Sequence, residues 1–152
     1  MRSGRSLILV AFLVTVLAGV ITSGTSADRR ARSAGASVTV RPSRYGRILF
    51  DGRGFVLYSF THDLRRRATC YGACATRWPP FLVMKRPATR TGAQAVLVGT
   101  TRRRDGRLQV TYAGRPLYYY RGDNAPGIIL CQNVSEFGGL WLVVRPSGKP
   151  VR

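Results

Sequence analysis

The sequence predicts a mainly β domain with pseudo-two-fold symmetry, a small sandwich or irregular barrel built from two β-hairpin repeats of about 60 residues, with one short helical turn. Three observations predict this fold class. Residues 46–63 recur at 106–123 without a gap, each copy has two segments rich in aromatic and branched residues, and glycine-containing turns separate those segments. Packing two layers or closing a barrel buries one face of such strands.

The internal repeat is stronger than chance composition allows. Six of the 18 aligned pairs are identical, where ordinary residue frequencies would give about one. Trp78 also falls on Trp141 once three residues are inserted. A solenoid needs at least about three copies, so we expect a single domain, with copy one at about 46–82 and copy two at about 106–145. The identical pairs are Gly46/Gly106, Arg47/Arg107, Gly54/Gly114, Leu57/Leu117, Tyr58/Tyr118 and Asp63/Asp123.

Each copy predicts one hairpin. In copy one, strands at 47–50 and 55–60 flank a turn at 51–54, and in copy two, strands at 107–112 and 116–120 flank a turn at 113–115. The tight turn at Asp105-Gly106 predicts that 95–102 pairs with 107–112, and 140–145 is a further strand. Residues 70–77 predict the helical turn, because Pro79 and Pro80 would end a helix there.

The N-terminal residues predict export. Arg2 and Arg5 precede an uncharged apolar run at 7–21, and small residues follow it up to Ala27, so residues 1–27 form a signal segment. An uncleaved anchor is the alternative, although a spanning helix needs about 20 apolar residues. Membrane contact would then involve this segment alone. Residues 28–44 predict a flexible basic linker, and the domain itself is expected at 45–152.

The charge is strongly basic. The chain has 25 basic and 6 acidic residues, a formal net charge of +19, and loss of Arg2 and Arg5 with the signal leaves 23 against 6, or +17. Such a field attracts polyanions, and we expect anionic envelope polymers or lipids rather than a specific nucleic acid. A compositional bias towards arginine, without function, is the alternative. Arginine clusters bind phosphates well, and the candidate anion-binding residues are Arg65, Arg66, Arg67, Arg102, Arg103 and Arg104.

The three cysteines predict one disulfide. Outside the membrane thiols tend to oxidise, and Cys70 and Cys74 on one helical turn lie within disulfide range. A redox-active pair is the sharper alternative. A structural metal site is disfavoured because structural zinc is bound by four ligands and His62 is the chain's one histidine. Cys131 is the odd thiol, either buried or paired with another chain.

A tyrosine and an aspartate recur at matched positions. Tyr58, Phe60 and Asp63 in copy one correspond to Tyr118, Tyr120 and Asp123 in copy two. One interpretation is structural: each aspartate accepts backbone N–H groups at its own turn and the aromatics pack the core. In the other, the two carboxylates converge to bind a cationic or sugar ligand, or work as an acid/base pair.

These residues carry a family resemblance. Both copies match the Tyr-x-aromatic-x-x-Asp pattern, and Cys70-Tyr-Gly-Ala-Cys74, Trp78-Pro-Pro and the Phe-Gly-Gly-Leu-Trp at 137–141 follow in order. The chain thereby resembles the bacterial secreted repeat family of predicted lipoproteins. The resemblance implies an exported tandem-repeat protein and supplies no chemistry, since the family's function is largely unknown. The family's lipid-modified cysteine after the signal is missing from this sequence.

The sequence therefore predicts an exported, non-enzymatic envelope module that binds anionic cell-surface material. Two alternatives stay open: a redox or electron-transfer accessory using Cys70 and Cys74 or an unseen cofactor, and a hydrolase using Asp63 and Asp123. No nucleotide-binding glycine loop, zinc-protease motif or serine-hydrolase elbow is present in the sequence. We expect no cofactor and no metal, and the sequence leaves the oligomeric state open.

Overall fold

The computed structural model describes residues 36–152, so the predicted signal at 1–27 and the first part of the predicted linker, 28–35, lie outside the described residues. The described part is mainly β, as predicted. Its strands are β1 (Ser37–Ser43), β2 (Gly46–Asp51), β3 (Tyr58–Phe60), β4 (Leu82–Val83), β5 (Ala88–Thr89), β6 (Val98–Arg102), β7 (Leu108–Tyr112), β8 (Arg115–Pro116), β9 (Val134–Glu136) and β10 (Gly139–Val143). A short helix, α1 (Ala73–Arg77), and a 3-10 turn, Ala95–Leu97, complete the secondary structure of this part.

The strands form three small sheets. The first has the order β2-β1-β5, with β1 antiparallel to β2 and parallel to β5. The second, β3-β10-β9, is antiparallel throughout. The third, β4-β7-β6, also pairs β8 with β7. These sheets are open and do not close into a barrel.

The repeat is visible in the fold as two equivalent hairpins. In copy one, β1 pairs with β2 around a turn that ends at Gly46; in copy two, β6 pairs with β7 around a turn that contains Gly106. Gly46 and Gly106 have φ values of +82° and +83°. An L side chain rarely adopts that conformation, which explains why both turns use glycine. The predicted pairing of 95–102 with 107–112 is confirmed over Val98–Arg102.

The predicted linker is wrong in its second half. Residues 37–43 form β1, and the side chains of Ser37, Val38 and Val40 are at most 4% exposed. The alternation of Val38 and Val40 directs both into the core. Arginine, serine and glycine around these positions obscure that short pattern in the sequence. The folded domain therefore includes at least residues 37–44 in addition to the predicted 45–152.

In the two predicted hairpins, the strands pair only close to the turns. Between 47–50 and 55–60 there is one isolated bridge, Phe50 with Val56, and the ladder partner of β2 is β1. Beyond that bridge the chain crosses to the second sheet, where β3 pairs with β10. That crossing places Phe60 directly on Trp141. The pairing of β3 with β10 therefore buries the Phe60 and Trp141 rings against each other.

The core has two parts on either side of the central strands. One contains the tryptophans together with Tyr58, Tyr118 and the cysteines. The other is mainly aliphatic, with Phe81 and Tyr112, and includes Leu57 and Leu117, the immediate neighbours of those tyrosines. Successive residues of a strand point to opposite faces. Each copy therefore places its tyrosine in the first part of the core and the preceding leucine in the second. Within residues 36–152, no helix is long and apolar enough to cross a membrane.

Candidate functional site

The paired tyrosines and aspartates meet at the pseudo-two-fold axis. Tyr58 donates its hydroxyl to Asp123 Oδ2 at 2.7 Å, and Tyr118 donates its hydroxyl to Asp63 Oδ2 at 2.8 Å. Each tyrosine thus bonds the aspartate of the other copy. Both tyrosine side chains are fully buried, Asp123 is 6% exposed and Asp63 is half-buried. The motif therefore forms two reciprocal contacts between the repeats.

The backbone reinforces these contacts. The Tyr58 N–H donates to the Tyr118 carbonyl and the Tyr118 N–H donates to the Tyr58 carbonyl, both at 2.9 Å. This antiparallel bridge joins residues exactly equivalent in the two copies, so the axis passes between them. The repeats are held together where the two tyrosines lie side by side.

Each aspartate also organises the loop that follows it. Asp63 Oδ1 accepts the N–H and the hydroxyl of Thr69 at 2.7 and 2.8 Å. Asp123 Oδ1 accepts the N–H of Leu130 at 3.0 Å. One carboxylate oxygen therefore fixes a loop within its own copy and the other receives the tyrosine of the opposite copy. The structural interpretation expected N–H donors from each aspartate's own turn, whereas the loop donors lie six and seven residues further along the chain. It did not anticipate the tyrosine of the opposite copy.

Three aromatic rings stack beside this axis, and a fourth packs against them at an angle. Trp78 and Trp141 are stacked with centroids 4.0 Å apart and planes 3° from parallel, and Phe60 stacks on Trp141 at 4.2 Å. The Tyr120 ring contacts Trp78 with centroids 4.7 Å apart and is tilted by 44°. Each of the outer rings contacts the tryptophan of the opposite copy: Phe60 of copy one contacts Trp141, and Tyr120 of copy two contacts Trp78. The stack is a second contact between the repeats.

The ionisation of these groups follows from burial. Burial is the largest cause that raises the pKa of Tyr58 and of Tyr118, and the neighbouring carboxylate adds to each shift, so both hydroxyls remain donors. Burial also raises the pKa of Asp63 and Asp123, while the hydrogen bonds that they accept oppose the rise. Asp63 borders a small cleft of about 210 Å³.

Cys70 and Cys74 form the predicted disulfide. Their Cα atoms are 5.3 Å apart, and both side chains are less than 10% exposed. Cys131 is a free, buried cysteine whose thiol pKa is raised by burial. It follows Leu130, the loop partner of Asp123, just as Cys70 follows Thr69, the loop partner of Asp63. Cys131 is therefore the counterpart of Cys70 in copy two.

The two arginine runs lie side by side. The Thr101 hydroxyl donates to the Arg66 carbonyl, which joins the loop of the first run to the end of β6, where the second run begins. Five of the six predicted anion-binding side chains are exposed, and we call them the basic surface. They are Arg65, Arg66, Arg67, Arg102 and Arg104.

Arg103 is the exception, and its prediction as an anion ligand is wrong. Its side chain is buried, and the guanidinium donates to Gln109 Oε1 at 2.6 Å and to the Cys70 carbonyl at 2.7 Å. It also lies 4.2 Å from the ring centroid of Tyr71. Arg103 therefore joins the disulfide turn to the β6–β7 hairpin instead of facing a ligand. Arg103 is one of three consecutive arginines, and nothing in the sequence distinguishes it as the buried one.

Asp51 is a buried group that the sequence interpretation placed only in a turn. Its side chain is fully buried, and Oδ1 accepts the N–H groups of Arg53, Gly54 and Phe55. The Tyr119 hydroxyl donates to Oδ2 at 3.2 Å. The Asp-Gly-Arg-Gly sequence at 51–54 is the signal that could have identified it, because aspartate commonly accepts the N–H groups of its own turn.

Metal binding has no support in residues 36–152, where no group of three or more His, Cys, Asp or Glu side chains is placed to hold an ion. The remaining described acids are also engaged: Asp105 pairs with Arg107 at 2.6 Å, and Glu136 accepts the Trp78 indole N–H at 2.8 Å. All five acidic side chains of this part thus have partners within the domain.

Comparison with known proteins assigns a family. A family described as a secreted repeat of unknown function matches twice, at residues 39–81 and 99–145. The two matches correspond to the two copies, and each includes most of one of the equivalent hairpins and one tyrosine of the reciprocal pair, Tyr58 or Tyr118. Curated proteins and solved structures gave no match. The matched residues cover more than half of the chain, and the protein belongs to this family of secreted repeats.

Proposed function

We propose that this secreted module is a non-enzymatic binding protein for anionic envelope polymers or lipids, and that the basic surface makes the contact. One observation carries the proposal: every acidic side chain of residues 36–152 is engaged inside the domain, while the five arginines of the basic surface remain exposed on adjoining loops. Exposed guanidinium groups present several N–H donors and match phosphate geometry.

The same geometry disfavours the two alternatives. Thiol–disulfide exchange requires access to a sulfur, and both Cys70 and Cys74 are buried. A hydrolase would need Asp63 and Asp123 free to act on a substrate, whereas each accepts a tyrosine hydroxyl and a loop N–H. Neither arrangement leaves a group prepared for chemistry, which supports a binding role.

Binding through this surface should depend strongly on salt. We expect the protein to bind vesicles that contain an anionic phospholipid, or a phosphodiester polymer, and to lose at least tenfold in affinity between about 50 and 500 mM salt, because counterions are released on binding and charges are screened. Vesicle co-sedimentation across a salt series measures this. Salt-insensitive binding would contradict the role of the basic surface, as would no binding at low salt.

A matched pair of variants separates the basic surface from net charge. Arg65→Gln, Arg66→Asn and Arg67→Gln together remove three charges; asparagine is chosen at 66 because the φ of Arg66 is +57°, which asparagine tolerates. The control removes three exposed arginines from elsewhere: Arg90, Arg121 and Arg152, each to glutamine. The first variant should lose clearly more affinity than the control. Equal losses would mean that total charge alone governs binding.

A further inference from the structure

An apolar groove adjoins the basic surface at Arg102. It has a volume of about 930 Å³, within the range of roughly 300–1,000 Å³ typical of small-molecule sites. It runs between the segment around β4 and the turn that joins β6 to β7. Its apolar wall is formed by Phe81, Leu82, Val83, Met84, Leu108 and Tyr119.

The apolar wall is accessible to solvent. Met84 is 96% exposed, and Leu82, Val83 and Leu108 beside it are only half-buried. Apolar side chains that line an open groove together offer a surface for an apolar ligand. A methionine is unbranched and polarisable, so it adapts to apolar ligands of variable shape.

Arginines border the same groove. Arg53 is paired through Nε with the buried Asp51 at 2.9 Å, and Arg107 is paired with Asp105. Arg102, which belongs to the basic surface, donates one N–H to the Gly106 carbonyl at 2.7 Å. A guanidinium has five N–H donors, so these contacts leave further donors on each arginine for an anion. The groove thus combines an apolar wall with a cationic rim.

We propose that this groove binds the acyl chain of an anionic lipid, with Arg102, Arg53 and Arg107 at its phosphate. The inference rests on the proposed function and deepens it, since it names a lipid as the envelope ligand. Charge complementarity selects this occupant. A second copy of the chain is disfavoured because both copies would carry the same large positive charge, and a neutral apolar ligand would make no use of the rim.

The methionine provides a specific reporter for the test. The chain has two methionines, Met1 and Met84, so selective ¹³C-methyl labelling of the full chain gives one signal from the groove, which Met84→Leu assigns. Three probes are compared below their micelle concentrations: n-octyl phosphate, n-octyl glucoside and inorganic phosphate. Octyl phosphate should shift the Met84 signal saturably, the glucoside should bind at least several-fold more weakly, and inorganic phosphate should leave the signal in place.

The length of the ligand's alkyl chain and an arginine variant provide two further tests. Each buried methylene is worth about a fourfold gain in affinity, so octyl phosphate should bind roughly 15-fold more tightly than hexyl phosphate. Arg102→Gln should weaken octyl phosphate several-fold, whereas Arg121→Gln, which removes the same charge from an exposed site outside the groove lining, should not.

The outcomes separate this inference from the proposed function. A Met84 signal unmoved by octyl phosphate, in protein that still binds anionic vesicles, would overturn the groove and leave the basic surface standing. Equal binding of the glucoside and the phosphate would overturn the anionic part of the proposal. A Met84 shift that depends on protein concentration without ligand would identify a second copy as the occupant. Failure of both octyl phosphate and vesicles would overturn both proposals.

Discussion

Replacing Trp141 with alanine is expected to have the largest effect on stability of any single change considered. Its buried ring lies between Phe60 at 4.2 Å and Trp78 at 4.0 Å, and Tyr118 meets its edge at 5.2 Å. Truncating a buried tryptophan costs about 3–5 kcal/mol, a large part of a typical domain's stability. We expect the melting temperature to fall by roughly 10–20 °C, as measured by circular dichroism.

Two controls test the reason for this loss. Trp141→Phe keeps an aromatic ring in the stack and should lose clearly less than Trp141→Ala. Phe137→Ala removes a ring that is 47% exposed and should change the melting temperature little. A Trp141→Ala protein that melts within about two degrees of the parent would contradict the role of the stack in joining the repeats.

The aspartates should produce the next largest effect. Asp123→Ala leaves the Tyr58 hydroxyl and the Leu130 N–H without their acceptor, and Asp63→Ala does the same to Tyr118 and Thr69. A buried polar group left without its hydrogen bond costs about 1–3 kcal/mol. Each variant should therefore lower the melting temperature by roughly 5–10 °C.

The matched control is Arg107→Gln. Arg107 is an exposed arginine that pairs with Asp105 on the surface, and such pairs contribute little to stability. Its melting temperature should stay near that of the parent. Asp63→Ala and Asp123→Ala proteins that melt at or above the parent temperature would instead make the two carboxylates the leading active-site candidate, because functional groups are often retained at a cost to stability.

The sequence predicted the repeat, the mainly β class and the Cys70–Cys74 disulfide because each leaves a local pattern. It could not predict which copy supplies the partner of each tyrosine. Equivalent residues look identical in a repeat, and only the packing of the two copies decides whether Tyr58 meets Asp63 or Asp123. Sequence patterns therefore identified the motif but not the contact.

The sequence analysis missed two other features, strand β1 and the burial of Arg103, because both lie in arginine-rich segments. The core positions of β1, Val38 and Val40, are embedded in an arginine- and serine-rich segment that predicted a linker. Arg103 is buried between its own β6–β7 hairpin, where Gln109 accepts one of its N–H groups, and the disulfide turn, where the Cys70 carbonyl accepts another. Burial of a charged side chain requires such partners, and the sequence around residue 103 does not show that the disulfide turn packs against it.

A pair of double-mutant cycles tests most directly the central claim that the motif joins the repeats across the axis. Urea denaturation gives the free energy of unfolding for Tyr58→Phe, Asp123→Ala, Asp63→Ala and the two double variants that contain Tyr58→Phe. The cross-copy pair, Tyr58 with Asp123, should show a coupling of about 1–3 kcal/mol, since one hydrogen bond is shared. The same-copy pair, Tyr58 with Asp63, should be additive within about 0.5 kcal/mol. Coupling in the same-copy pair with none in the cross-copy pair would contradict the account.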